Sequence, residues 1–140
     1  MFKNSKAFSG FSVDDIDTAK QFYSETLGLD VTQDDMGLTL HLATGADVFV
    51  YPKGNKHQPA SFTILNFPID NIDTAVAELK AKGITFVQYD EDVPIDKQGG
   101  TIHLKTDQKG ILRSDAPEHG PHIAWFKDPA GNILAVLQQL

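Results

Sequence analysis

The sequence predicts an α+β protein built from two copies of one module, each with the order β-α-β-β-β. The first observation is a phrase that occurs twice. Residues 11–19 read F-S-V-D-D-I-D-T-A and residues 67–75 read F-P-I-D-N-I-D-T-A, so that Phe11 matches Phe67, Asp14 matches Asp70, Ile16 matches Ile72 and Ala19 matches Ala75 at a constant offset. Repetition at a fixed period marks a structural unit built twice. The second observation is a change of period: in each copy an alternating apolar run gives way, after an Asp-rich corner, to apolar residues three and four apart. The third is that short apolar runs, separated by turn-forming residues, follow each helical stretch.

Each element follows from its own residues. Ala7–Val13 is a strand in which Phe11 and Val13 share the face that covers a helix, and Phe8 takes the opposite face. Asp14 or Asp15 caps the first helix, and Asp17 favours its positive end. Ile16, Ala19, Phe22, Tyr23 and Leu27 form one apolar stripe, and Gly28 ends it. Asp30–Gln33 is a short strand. Leu38–Ala43 and Val48–Tyr51 form a hairpin around Thr44-Gly45-Ala46. Pro52–Pro59 is polar, rich in breakers and reads as a linker. The second copy opens with a strand over Ser61–Ile69, Asp70 caps its helix, and Ile72, Ala75, Val76 and Leu79 form the stripe that Gly83 ends. Thr85–Tyr89 is the next strand. The stretch 90–120 is irregular, with one further strand near Thr101–Leu104. A last hairpin joins Ile123–Lys127 to Ile133–Gln138 through Asp128–Asn132.

Composition bounds the function. The chain has 140 residues, 41% of them hydrophobic and 22% charged, which is one domain's length with enough apolar mass for a core. Two modules of about 60–70 residues would be marginal alone and favour a shared core. The formal net charge of −7 argues against nucleic acid and anionic membrane as partners. The chain has no cysteine, which removes disulfides, thiolate metal sites and cysteine nucleophiles. Met1–Lys6 has no apolar core of a signal peptide, and no apolar run approaches a membrane span, so a cytoplasmic protein is expected.

D-D-I-D-T-A-K-Q-F-Y-S-E-T-L-G-L at 14–29 and W-F-K-D-P-A-G-N-I-L at 125–134, in that order, resemble the vicinal oxygen chelate superfamily. That group holds glyoxalase I, extradiol dioxygenases, fosfomycin-resistance enzymes and bleomycin-resistance proteins. The resemblance covers essentially the whole chain. It implies a strongly curved, mixed eight-stranded sheet with helices outside and a cleft inside. It further implies a single domain over 1–140, with modules of about 5–52 and 60–138, and a homodimer. Metal-dependent members carry a His or Glu at four equivalent positions, which fall here on Phe8, Phe49, Ile64 and Ala135. None of these side chains has a lone pair to offer, and catalytic zinc needs about three protein ligands. The expectation is therefore no metal and no cofactor, as in the ligand-binding branch that includes bleomycin-resistance proteins.

The candidate site follows from strand alternation. Phe8, Phe49, Tyr51, Phe62, Ile64, Trp125, Ile133 and Ala135 line the expected cleft, with Asn66 and His41 as polar contacts. Leu38, Leu40 and Leu42 claim the helix side of their strand, so Thr39 and His41 face either the cleft or solvent. Positions 125 and 135 lie opposite each other about the turn, so Trp125 shares a face with the small Ala135. Asn66, taken as buried, needs hydrogen-bond partners. His119 and His122, with Glu118, have a spacing that could suit a metal, or form a polar loop. The first reading is a small-molecule-binding protein with a sequestering role; the ligand is partly aromatic or apolar. The alternatives are a metal-free lyase or isomerase using His41 or His103, and a cleft filled by its own aromatics.

Overall fold

The computed structural model describes residues 1–140. The chain divides into two compact units. The first is Met1–Phe62 together with Asp128–Asn132; the second is Thr63–Lys127 together with Ile133–Leu140.

The first unit holds β1 (Ser9–Val13), α1 (Ile16–Gln21), β2 (Asp30–Gln33), β3 (Leu38–His41) and β4 (Asp47–Pro52). Its four-stranded sheet has the order β1-β4-β3-β2, with β1 parallel to β4 and the other pairs antiparallel. Asp15 is the cap of α1, accepting from the Thr18 N–H at 3.0 Å. That bond and the first-turn amides hold the Asp15 carboxyl below its ordinary value. The helix runs on into one wider turn, Phe22–Thr26, closed by Leu27 N–H to Phe22 O at 2.9 Å. Val13, Ala19, Phe22, Tyr23, Leu38, Leu40, Val48 and Val50 form the core. The alternation expected of Leu38 and Leu40 holds, and Phe11 faces the helix, its ring 5.7 Å from that of Tyr23.

The second unit repeats the plan with β5 (Thr63–Pro68), α2 (Ile72–Ala81), β8 (Ile111–Leu112), β9 (His122–Lys127) and β10 (Ile133–Gln138). The sheet order is β5-β10-β9-β8, with β5 parallel to β10. The cap of α2 is Asn71, whose side chain accepts from Thr74 N–H at 2.9 Å, and not Asp70. Asn71 matches Asp15 in the repeated phrase, so the cap is conserved in place between the copies although its chemistry changes. Ile72, Val76, Phe86, Ile111, Ala124, Phe126, Leu134 and Val136 form this core.

The fourth strand of this sheet differs from the reading of Thr85–Tyr89 as one strand. Only Phe86 pairs there, with Phe126, and the edge is resumed by β8 beside Ala124 and Ile123. The stretch between the two pieces forms an arm of its own, β6 (Asp90–Pro94) paired with β7 (Thr101–Lys105) in a separate two-stranded sheet. Ion pairs fasten the chain beyond the arm to the start of α2. The Arg113 guanidinium grips both Asp73 oxygens at 2.9 and 2.7 Å, and Lys109 reaches the same carboxylate at 3.0 Å. These cations hold the Asp73 carboxyl far below its ordinary range.

Candidate functional site

In the first unit, the sheet face away from α1 carries Gly10 and Ser12 from β1, Thr39 and His41 from β3, and Asp47, Phe49 and Tyr51 from β4. Phe49 and Tyr51 stack at 5.8 Å and 16°. His41 bridges two neighbours: Nδ1 lies 2.8 Å from Asp47 Oδ1, and Nε2 lies 2.8 Å from Thr32 Oγ1. The imidazole is thus oriented by a carboxylate, as a general base would be. Phe8, one residue before β1, is 73% exposed.

One corner of this unit is tightly wired. Asp128 is buried and accepts from the Tyr23 hydroxyl at 2.7 Å, from Asn132 Nδ2 at 3.0 Å, and from the backbone N–H groups of Ala130 and Asn132 at 3.0 and 2.8 Å. Asn132 also donates to Ser12 O at 2.9 Å. Burial, and then the Asp128 carboxylate, push the Tyr23 phenol far above its ordinary value, so it stays a donor. Beside it, His57 Nε2 donates to Ala130 O at 2.9 Å, and its Nδ1 lies 2.8 Å from the Ser12 hydroxyl oxygen. These residues satisfy one another and form a structural lock.

In the second unit, β9 and β10 place Trp125 opposite Ala135, as counting around the turn expects. Ala135 is fully buried and Trp125 half-buried. The indole Nε1–H donates to Thr63 Oγ1 at 3.2 Å, and the Tyr89 ring meets Trp125 edge-to-face at 5.2 Å and 84°. Burial raises the Tyr89 phenol, and Glu91 adds to the shift. Ile133 lies two residues from Ala135 on the same strand and is half-buried.

Strand β5 departs from simple alternation. The register shifts between Ile133 and Leu134, so that Thr63 pairs with Ile133 and Leu65 with Leu134. Ile64 is the extra residue of a bulge, which moves Thr63, not Phe62 or Ile64, to the indole. Phe62 stands before the strand and is 68% exposed. Asn66 pairs with Ala135 but is exposed, which corrects the expectation of a buried amide. Thr63, Tyr89, Thr32 and Asp47 are site neighbours that the sequence reading missed. Asp47 follows from the β3–β4 register, whereas Thr63 depends on the bulge.

Phe8, Phe49, Ile64 and Ala135 offer carbon only, and no group of three or more His, Asp or Glu side chains that could hold a metal ion is assembled anywhere. His119 bonds Asp115 at 2.6 Å, while His122 accepts from Ser114 N–H at 3.0 Å, so these two histidines serve different partners. Neither the four carbon positions nor these two histidines make up the three protein ligands that catalytic zinc takes. A shallow depression of about 320 Å³ lies at the ends of β5 and β10, lined by Pro68, Ile69, Asp70, Gln138 and Gln139, away from the aromatic residues.

Comparison with known proteins gives a family match to the Glyoxalase/Bleomycin resistance protein/Dioxygenase superfamily over residues 8–136. No curated protein matches the chain by sequence. Among solved structures, a glyoxalase family protein from Enterococcus faecalis is 19% identical with a TM-score of 0.63, covering 98% of this chain and 99% of its own. An antibiotic binding protein from a Streptomyces species is 21% identical with a TM-score of 0.60, covering 98% of each chain. The fosfomycin resistance protein FosX from Listeria monocytogenes is 10% identical with a TM-score of 0.63, covering 98% of this chain and 94% of its own. At these identities the likeness is one of fold.

Proposed function

We propose that this chain, which belongs to the Glyoxalase/Bleomycin resistance protein/Dioxygenase superfamily, binds a small, partly aromatic or apolar molecule without a divalent metal and thereby sequesters it. The observation that carries this reading is the half-buried Trp125, with Tyr89 against its ring and Thr63 on its N–H. An aromatic wall with few polar groups is the normal form of a small-ligand site. The carbon side chains at the four positions where metal-dependent relatives carry ligands support the metal-free part. A homodimer working in the cytoplasm completes the proposal. The test is native mass spectrometry of freshly purified protein for a co-purifying small molecule, followed by titration of that molecule against Trp125 fluorescence. No bound molecule, together with unchanged fluorescence across an apolar metabolite screen, defeats it.

A second reading is a lyase or isomerase step run by acid–base groups. It is favoured by the carboxylate-oriented His41. His103 suits it less, because carboxylates hold both its ring nitrogens, Asp92 and Asp90, whereas the second nitrogen of His41 meets only the Thr32 hydroxyl. Turnover of a bound molecule, abolished by His41→Gln, would select the enzyme.

A further inference from the structure

We infer that the β6–β7 arm is a ligand-contacting wall, so that the molecule bound at Trp125 is elongated and lays an apolar tail along the arm. This rests on the proposed ligand site and specifies what fits it. The arm's register pairs Glu91 with Leu104 and Val93 with Ile102. The same register runs one pair further toward the root. Thr106 N–H donates to Tyr89 O at 3.0 Å, and Tyr89 N–H returns to Thr106 Oγ1 at 3.0 Å. Opposed residues share a face, and alternate residues return to it. Tyr89, Val93, Ile95, Ile102 and Leu104 therefore lie on one face, on which Glu91 is the one charged residue. Asp90, Asp92, His103 and Lys105 lie on the other.

The outer end of the apolar face is uncovered. Ile95 is 65% exposed and Ile102 54% exposed, and the arm pairs with no strand but its own. Two strands alone are marginal in water. At its root the same face carries Tyr89, whose ring already meets the indole of Trp125. One apolar surface thus runs from Trp125 through Tyr89 to Leu104, Val93 and Ile102. Its size decides the occupant. A few aliphatic side chains, with Val93 and Leu104 already half-buried, fall short of the roughly 800 Å² per partner of a standard protein interface. They match one end of a drug-sized molecule.

The test titrates two probes against Trp125 fluorescence: naphthalene, which is short, and N-phenyl-1-naphthylamine, which is elongated. It compares the parent with Ile102→Asp, and with Ile102→Ser as a gentler variant, each checked by its melting curve. The expected result is quenching by both probes in the parent. Both variants then weaken the elongated probe about tenfold, while naphthalene stays within about twofold. Weakening of neither probe, or equal weakening of both, with quenching intact in the parent, overturns the arm and leaves the Trp125 site standing. No quenching by either probe in the parent removes the site and the arm with it. A parent dimer that Ile102→Asp converts to monomer in light scattering makes the face a contact between copies, and also overturns the inference.

Discussion

Replacing Tyr23 by Phe should cost about 1.5–3 kcal/mol of stability, the range for a hydrogen bond to a charged acceptor. The hydroxyl donates to Asp128 Oδ2 at 2.7 Å, and both groups are buried. The ring stays, so its edge contact with Phe22 at 5.1 Å is kept and no cavity opens. The carboxylate is not orphaned, because Asn132 Nδ2 still donates to the same oxygen and two backbone amides to the other. The loss should therefore lie near the lower end, about 1.5–2 kcal/mol, or roughly 5–10 °C in melting temperature for a chain of this size. Urea titration by circular dichroism at pH 7 measures it, with an unchanged m-value showing that the denatured state is the same. A second arm uses pH. The folded phenol is held above its ordinary value near 10, so its contribution is present below that pH and fades as alkali drives ionisation. The parent should lose stability above pH 10 more steeply than Tyr23→Phe. A loss below about 0.5 kcal/mol, with identical alkaline limbs, would refute the view that this pair locks the turn.

Ala135 is fully buried, so Ala135→Phe should overpack the site, cost about 1–3 kcal/mol and shift Trp125 emission; a variant as stable as its parent would reveal a void beside the indole. The bonds from Asp92 and Asp90 raise His103, so its stabilising effect on the arm should be full in mild acid and fade as pH rises through the elevated value; Asp90, Asp92 and Lys105 are the charges on its face. Histidine NMR titration checks this, and a value at or below the ordinary one for His103 would contradict it. Asp73 is held low by Arg113 and Lys109, so its contribution should persist above the ordinary carboxylate range and vanish only in strong acid; an acid-unfolding midpoint equal in the parent and Arg113→Ala would count against it. Elemental analysis should find less than stoichiometric zinc, manganese or iron, and a chelator should leave the melting temperature unchanged.

Local patterns carried most of the architecture. The repeated phrase fixes both helix starts, because a strand, a capping corner and an apolar stripe are all written within nine residues. Counting around the Asp128–Asn132 turn places Trp125 against Ala135, since hairpin register depends only on the turn. The bulge at Ile64 was not readable, because an inserted residue leaves no mark on an otherwise apolar run. Its effect is that alternation fails one residue away from where it matters, and Thr63 takes the indole N–H. The arm is half legible: its second strand near Thr101–Leu104 shows in the sequence, but Asp90–Pro94 looks like a charged loop until His103 is set opposite Asp92. Tyr23 read as one more apolar position of a helical stripe. Its hydroxyl's partner lies 105 residues away, and no local signal announces such a pair.

That separation bears on how the chain is made. The first unit includes Asp128–Asn132, so a ribosome must translate through residue 132 before this unit has all its parts. Asn132 reaches back 120 residues to Ser12, and Ala130 reaches 73 to His57. Contacts of such length slow folding, because the chain must search before they reward it. Residues 1–62 emerge before Asp128–Asn132 and would wait in an unfinished form with the Tyr23 hydroxyl unmet. Truncation before residue 128 should strand it there, exposed to proteases and to aggregation.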